Sequence, residues 1–278
     1  MMRPDQNRRP LHRVITSLQN PTVKAVRALE MRKVRRETGL FVAEGASVLV
    51  TARDHGWRPK TLLYQPEAAA GEVHRQLVEW ARRSGAEILE VSEAVLAKVA
   101  SKENPQSMLA VFQQAWHKLP EPAEIGPDTV WVALEEIRDP GNLGTIIRTA
   151  DAVGAGGLIL VGASCDPYSR EAVRASMGSI FAVPLVRTDR GGFLAWRHSW
   201  PGEVVGTHLA ATEDFRAVSY RGPTLLVMGS EGPGLSEALT KACDRLVKIP
   251  MAGKLDSLNL AVATALALYQ IRGPYLKL

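Results

Sequence analysis

Along this 278-residue chain the apolar positions gather into short runs separated by Gly, Pro and polar turns, and the spacing inside the runs switches between helical and strand periods. Residues 17–36 place Val23, Val26, Ala28, Leu29 and Val34 among Arg27, Arg32, Lys33, Arg35 and Arg36. This pattern predicts one helix, stopped by Gly39. A short strand follows over 40–42, and Glu44-Gly45 leads into a helix through Val48, Leu49 and Ala52. Further strands are predicted at 61–64 and 87–91, with one helix over 73–84 ended by Gly85 and another capped by Ser92, and residues 107–112 close the unit. Together these elements make a small α/β module, assigned to residues 13–115. Residues 1–12 are polar and basic, with Pro4 and Pro10, and are expected to be disordered.

Residues 116–129 hold Pro120, Pro122, Gly126 and Pro127, a linker composition. From Val130 onward apolar strand runs at 130–134, 158–161, 183–186, 204–209, 224–228 and 245–249 alternate with helical stretches at 143–152, 168–179, 193–200, 235–242 and 258–271. Repeated βα units with strands this apolar predict a mainly parallel sheet covered on both faces. The fold class expected is therefore α/β: a smaller α/β domain, a linker, and a larger parallel-sheet domain over 130–278.

Composition narrows the class without naming a chemistry. Hydrophobic residues make up 46% and charged residues 23%, as in ordinary globular proteins. The longest nearly apolar run, 258–269, contains Asn259 and Thr264 and is too short to cross a bilayer. No basic-then-apolar leader opens the chain. Cys165 and Cys243 lie far apart and form no metal-ligand spacing, so they read as packing residues of a reducing compartment, and no metal is expected. Charge says more. Residues 1–40 hold ten Lys/Arg against three acidic residues, a surplus of seven, whereas the whole chain carries +5. The basic character is an N-terminal property and has the footprint of a phosphate-backbone contact. A solvated helix face with a basic tail accounts for it equally well. An organelle transit segment is disfavoured, because globular patterning begins by about residue 14.

Three stretches carry candidate chemistry, and each follows a predicted strand. The first runs from Asp139 through Asn142, Gly144 and Arg148 to Asp151. Pro140 and Gly141 make a tight turn, and Gly144 allows close backbone approach at a helix start. If Asn142 caps that helix, its side chain turns back toward the loop and Arg148 lies almost two turns in, as a half-buried fork of donors suited to phosphate. A capped helix with Arg148 paired to Asp151 is the plainer alternative. The second stretch is the Gly-rich loop MGSEGPGLS, residues 228–236. Its spacing matches neither GxxxxGK[ST] nor GxGxxG, and Glu231 would repel phosphate while suiting an amine, a ribose hydroxyl or an Arg. The third, 249–270, turns at Pro250, passes Lys254, Asp256, Ser257 and Asn259, and enters an Ala/Leu-rich helix for which Asp256 and Ser257 offer N-caps. Strand ends that lead through loops into helices are the usual ligand sites of α/β sheets. Taken alone, this one also reads as an ordinary connection.

In order and spacing the Asn142–Arg148 element, the MGSEGPGLS loop and the IPMAGKLDSLN stretch resemble the SpoU/TrmH branch of the SPOUT superfamily, RNA ribose 2′-O-methyltransferases that use S-adenosylmethionine. The first module is similar to the family's L30e-like RNA-binding domain through FVAEG at 41–45 and SKENPQ at 101–106. The resemblance implies a deep trefoil knot in the C-terminal sheet and a homodimer joined through the knotted domains. It implies a cofactor pocket made by Thr207, His208 and Leu209, by Met228, Gly229, Glu231 and Gly232, and by Ile249, Met251, Ser257, Leu258 and Asn259. It assigns catalysis to Arg148 with Asn142, Glu231, Ser257 and Asn259 around it. Glu231 would anchor Arg148 or an Arg of the partner, and Arg174 would lie near RNA. Arg27, Arg35 and Arg36 are the RNA contacts expected from the basic N-terminal stretch. Because a guanidinium has a pKa above about 12, Arg148 is expected to grip a phosphate and orient the hydroxyl instead of acting as a base. One departure is Ala261, where the family often has a second Ser.

Two competing classes fare worse. A non-catalytic RNA-binding protein has no need of Asn142, Arg148, Glu231, Ser257 and Asn259, and a nicotinamide dehydrogenase requires a GxGxxG fingerprint that is missing. Within the family a separate L30e-like domain favours ribosomal over transfer RNA. The protein is expected in the cytoplasm, without a membrane partner.

Overall fold

The structure is a computed structural model that describes residues 12–67, 71–100, 107–255 and 257–277. The SKENPQ stretch, Asp256 as a cap and the disorder expected for residues 1–11 lie outside the described residues. The chain forms two compact units. One comprises the residues up to Gln114 together with Tyr168–Arg174, and the other comprises Ala115–Pro167 and the residues from Ala175 onward.

The first unit runs β1 (His12–Ile15), α1 (Pro21–Ala28), α2 (Arg32–Thr38), β2 (Leu40–Glu44), α3 (Ala46–Asp54), β3 (Thr61–Tyr64), α4 (Glu72–Arg83), β4 (Glu87–Val91), α5 (Glu93–Val99) and β5 (Met108–Gln113). Among the described residues its sheet has the order β1-β4-β3-β5-β2, with β5 antiparallel to both neighbours. Alternation along the strands sends Val42, Leu63, Leu89 and Val111 to one face, where they pack with Val23, Val26 and Leu29 of α1 and Val95, Leu96 and Val99 of α5. The alternate positions Phe41 and Phe112 face the other way. There they meet Trp57, Trp80 of α4 and Tyr168 at ring separations of 4.7–6.3 Å.

The single helix expected over 17–36 is two. Asn20 caps α1 by accepting from the Thr22 amide at 2.8 Å, and the helix breaks at residues 29–31. Arg35, on α2 and only 4% exposed, donates to the carbonyls of Leu29 (2.8 Å) and Glu30 (2.7 Å), satisfying acceptors freed by the break. This corrects the expectation that Arg35 touches RNA, because its guanidinium is an internal brace. Strand β1 was not anticipated either.

The second unit contains β6 (Val130–Glu135), α6 (Pro140–Ala152), β7 (Gly157–Val161), α7 (Arg170–Ala175, most of it clustering with the first unit), β8 (Leu185–Thr188), α8 (Arg190–Arg197), β9 (Glu203–Thr207), β10 (Glu213–Asp214), β11 (Thr224–Met228), α9 (Glu237–Ala242), β12 (Arg245–Lys248) and α10 (Leu260–Arg272). Among the described residues these strands form one sheet in the order β10-β12-β9-β11-β6-β7-β8, every pairing parallel. Every residue of β6, β7 and β11 is buried, as in a sheet covered on both faces. The helix expected over 168–179 is cut to α7 because Met177 (φ 52°) and Gly178 (φ 101°) leave the helical region. The two-residue β10 was also not foreseen.

Helices α6 and α10, each 13 residues and thus about 19 Å long, pack side by side. Asn259 bonds Asn142 near their N-terminal ends, and Arg272 Nε donates to the Val153 carbonyl at 3.1 Å near their C-terminal ends, so the two run parallel. Among the described residues no helix is long and apolar enough to cross a membrane.

Candidate active site

Because all strands of the second sheet point the same way, the loops that follow β6, β9, β11 and β12 emerge at one edge. Register aligns their ends: Met228 pairs with Leu134, Val227 with Gly206, and Val247 with Thr207. Thr207 Oγ1 lies 3.4 Å from Met228 Sδ, and the His208 amide donates to the Val247 carbonyl at 3.0 Å. Leu209 is exposed just beyond. After β12, Ile249 packs half-buried against the cluster of Val205, Phe215, Val218 and Val247. Met251 is half-buried, and Ser257 and Leu258 are exposed in irregular chain before α10.

The Gly-rich loop closes on itself. Ser230 and Gly234 exchange backbone hydrogen bonds of 3.2 and 3.0 Å. A β-carbon on Gly229 would fall 2.0 Å from the Gly234 carbonyl carbon, so no other residue fits there. The far end of the loop is tied by Glu135, a residue the sequence reading missed. Its carboxylate, 3% exposed, accepts from the Ser236 amide at 2.8 Å and from Arg190 Nε at 3.1 Å. The available signal was an acid closing an otherwise apolar strand.

The three motifs meet through side chains. Asp139, not Asn142, caps α6, accepting from the Asn142 amide at 2.6 Å. Asn142 is thereby placed in the first turn, where its Nδ2 donates to Glu231 Oε1 at 2.9 Å. Its Oδ1 accepts from Asn259 Nδ2, also at 2.9 Å. Asn259 in turn caps α10, its Oδ1 accepting from the amides of Ala261 (2.9 Å) and Val262 (3.2 Å), so the cap is not Ser257. The result is a continuous chain, Glu231–Asn142–Asn259, across residues from all three stretches.

Arg148 stands apart from that chain. It is exposed on α6 and, among the described residues, has no hydrogen-bond or ion-pair partner. Neither the half-buried fork nor the pair with Asp151 is found, since Asp151 accepts from Ser179 Oγ at 2.6 Å. Glu231 likewise does not anchor Arg148 within the chain, its carboxylate being taken up by Asn142. In the first unit Arg27 and Arg36 are exposed, as is Arg174 at the end of α7.

The Cys165 amide donates to the Ile137 carbonyl at 2.7 Å, which brings the thiol beside the same loops. Burial, then the carboxylates of Asp139, Glu231 and Asp166, push that thiol up to about 12. It is neutral near pH 7 and unsuited to be a nucleophile. Among the described residues no group of His, Cys, Asp and Glu could hold a metal. The edge therefore offers peptide groups, two carboxamides, one carboxylate and exposed apolar side chains, and Arg148, farther along α6, adds a guanidinium with no partner among the described residues. Such a set suits a nucleoside-like ligand without a polyphosphate.

Comparison with known proteins agrees with this geometry. The profile of the SpoU rRNA Methylase family matches residues 129–269, and that of an MRM3-like substrate binding domain matches residues 20–110. The chain is similar to an AdoMet-bound rRNA methyltransferase from Sinorhizobium meliloti, at 42% identity and a TM-score of 0.89, covering 96% of this chain and 100% of that one. It is 34% identical to the 23S rRNA (uridine(2479)-2′-O)-methyltransferase of Streptomyces viridochromogenes, over 97% of this chain and 95% of that one. It is 29% identical to the 23S rRNA (guanosine(2553)-2′-O)-methyltransferase RlmP of Bacillus subtilis, over 93% and 99%. With three motifs joined at one sheet edge and these matches spanning both units, the chain belongs to the SpoU rRNA methylase family.

Proposed function

We propose that the protein transfers a methyl group from S-adenosylmethionine to a ribose 2′-hydroxyl of ribosomal RNA. The observation that carries this reading is the Glu231–Asn142–Asn259 chain, which joins all three motifs at the strand ends. When bound, the cofactor supplies an electrophilic methyl group on a sulfonium. The residues to hold it are Thr207, His208, Leu209, Met228, Gly229, Gly232, Ile249, Met251 and Leu258. Peptide groups there meet polar atoms, and Leu209, Ile249, Met251 and Leu258 offer apolar surface to a base. A loop carrying Glu231 and no Lys or Arg fits a cationic ligand.

Arg148 grips the phosphate beside the target ribose and orients the hydroxyl, because its planar fork is free and permanently charged. Asn142, Glu231, Ser257 and Asn259 frame that approach. The domain of residues 13–115 holds the rest of the RNA through Arg27 and Arg36, with Arg174 of α7 adding to it, residues 116–129 link it to 130–278, and the substrate places the protein in the cytoplasm. Val262, Leu266 and Tyr269 leave an apolar stripe exposed on α10, with Leu258 exposed just before the helix. The stripe supports a homodimer joined through the domain that carries α10. Insertion of β11 between β6 and β9, and return of the chain from β12 to α10 against α6, support the trefoil knot.

The test is transfer of labelled methyl to protein-free ribosomal RNA and, separately, to transfer RNA, each followed by alkaline hydrolysis. A labelled alkali-resistant dinucleotide from ribosomal RNA is expected. Label only in transfer RNA would move the substrate class, and failure to bind S-adenosylmethionine would overturn the enzymatic reading. Sedimentation of Val262→Glu/Leu266→Glu tests the dimer, with a monomer expected.

A further inference from the structure

A second basic surface lies on the first unit, on the sheet face opposite α1 and α5. Where the C-terminal end of α3 meets α4, a groove of about 710 Å³ is lined by Arg53, Arg58, Arg75 and Arg83, with Trp80 among them. That volume falls within the roughly 300–1,000 Å³ of built ligand sites. We infer that this groove holds a single-stranded segment of the RNA substrate, its guanidinia on phosphates along the strand and Trp80 under a base. The inference rests on the proposed function and deepens it.

Three observations choose RNA over a small anion. Arg75 and Arg83 are eight residues apart on one helix, so about 12 Å separates them along its axis, too far for one phosphate and suited to two phosphates about two nucleotide steps apart. Trp80 is only half-buried, one side packed on Phe112 at 6.3 Å between ring centres, which leaves surface for stacking. Arg58 is exposed and, among the described residues, unpartnered. The groove also contains Glu72 and Glu79, which hold Arg75 at 2.5 Å and Arg83 at 2.9 Å. These pairs are largely exposed and therefore weak, so an arriving phosphate can exchange for the carboxylate. While no RNA is present they keep the guanidinia neutralised and in place.

The experiment compares binding of protein-free ribosomal RNA and of a short single-stranded oligoribonucleotide across salt concentrations, together with methyl-transfer kinetics. For Arg58→Ala/Arg83→Ala, affinity is expected to fall about tenfold and KM for RNA to rise in step. The slope of log K against log salt becomes shallower by about 0.7 per arginine removed. The limiting rate at saturating RNA and the affinity for S-adenosylmethionine stay unchanged. Trp80→Ala weakens binding at least several-fold and Trp80→Phe restores it, with thermal melts confirming the fold of each. Glu79→Gln, which frees Arg82 and Arg83, tightens binding. Unchanged RNA affinity and salt slope in the double arginine variant would overturn the groove even if the wild-type enzyme methylates RNA. A wild-type protein that binds RNA through the groove but transfers no methyl would instead overturn the enzymatic reading and leave the groove standing.

Discussion

Helix α4 of the first unit and the strand-end edge of the second place their polar groups in opposite ways. Along α4 of the first unit charge lies on the surface in short-range pairs, Glu72 holding Arg75 and Glu79 holding both Arg82 and Arg83. At the strand-end edge, three side chains drawn from positions 89 and 117 residues apart form one bonded chain. Surface pairs are weak, additive and screened by salt. A chain of satisfied polar groups is cooperative, and removing one member leaves its neighbours without partners. Substitutions in the first unit should therefore grade the affinity for RNA, whereas those in the second should abolish function in single steps.

The sharpest way to break this contrast is Gly229→Val. Its side chain would overlap the Gly234 backbone, so binding of S-adenosylmethionine by calorimetry should become undetectable. Next comes Arg148. Arg148→Ala is expected to lower kcat/KM by about 10²–10³-fold, on the scale of losing a preorganised charge contact, and Arg148→Lys to recover little of it. Full activity in the Lys variant would show that charge alone suffices. Asn142→Ala removes the bonds to the half-buried Glu231 and the exposed Asn259, which water can partly replace, so unfolding free energy should fall by about 0.5–1.5 kcal/mol along with activity. A variant as stable as the wild type would show that the amide chain is replaced by water. Arg36→Ala should cost only a few-fold in RNA affinity, with a salt slope shallower by about 0.7–0.9.

The smallest effect concerns pH. The thiols of Cys165 and Cys243 are both pushed up to about 12, chiefly by burial. Above the ordinary thiol value of about 8.5 the unfolded chain releases these protons first, so stability falls as pH rises from there toward 12 and is unaffected below. Denaturant titrations of Cys165→Ala should show a flatter alkaline limb.

The parts legible in the sequence were those fixed by neighbours along the chain. Strands β3, β4 and β11 begin and end as expected, because their apolar runs are bounded by turn residues on both sides. The break between α1 and α2 was not legible, since no Gly or Pro marks it, and its freed carbonyls are satisfied by Arg35 from the following helix. The three site motifs could be located, but their bonding could not. Asp256, Ser257 and Asn259 were all chemically able to cap α10, and Asn259 is the one that also meets Asn142, a partner 117 residues away. Glu135 was overlooked because its partner, the Ser236 amide, lies 101 residues on. Strand β1 is four residues long and pairs with a strand more than seventy residues later, beyond the reach of local pattern.

The bond from Asn259 to Asn142 also has a kinetic side. Contacts between residues so distant in sequence close late, because the entropy of the intervening loop must be lost first. During refolding, helix content and burial of tryptophan can recover while α10 is still undocked and the three motifs are still apart. Catalytic competence should therefore return in the slowest phase, after the optical signals of folding are complete.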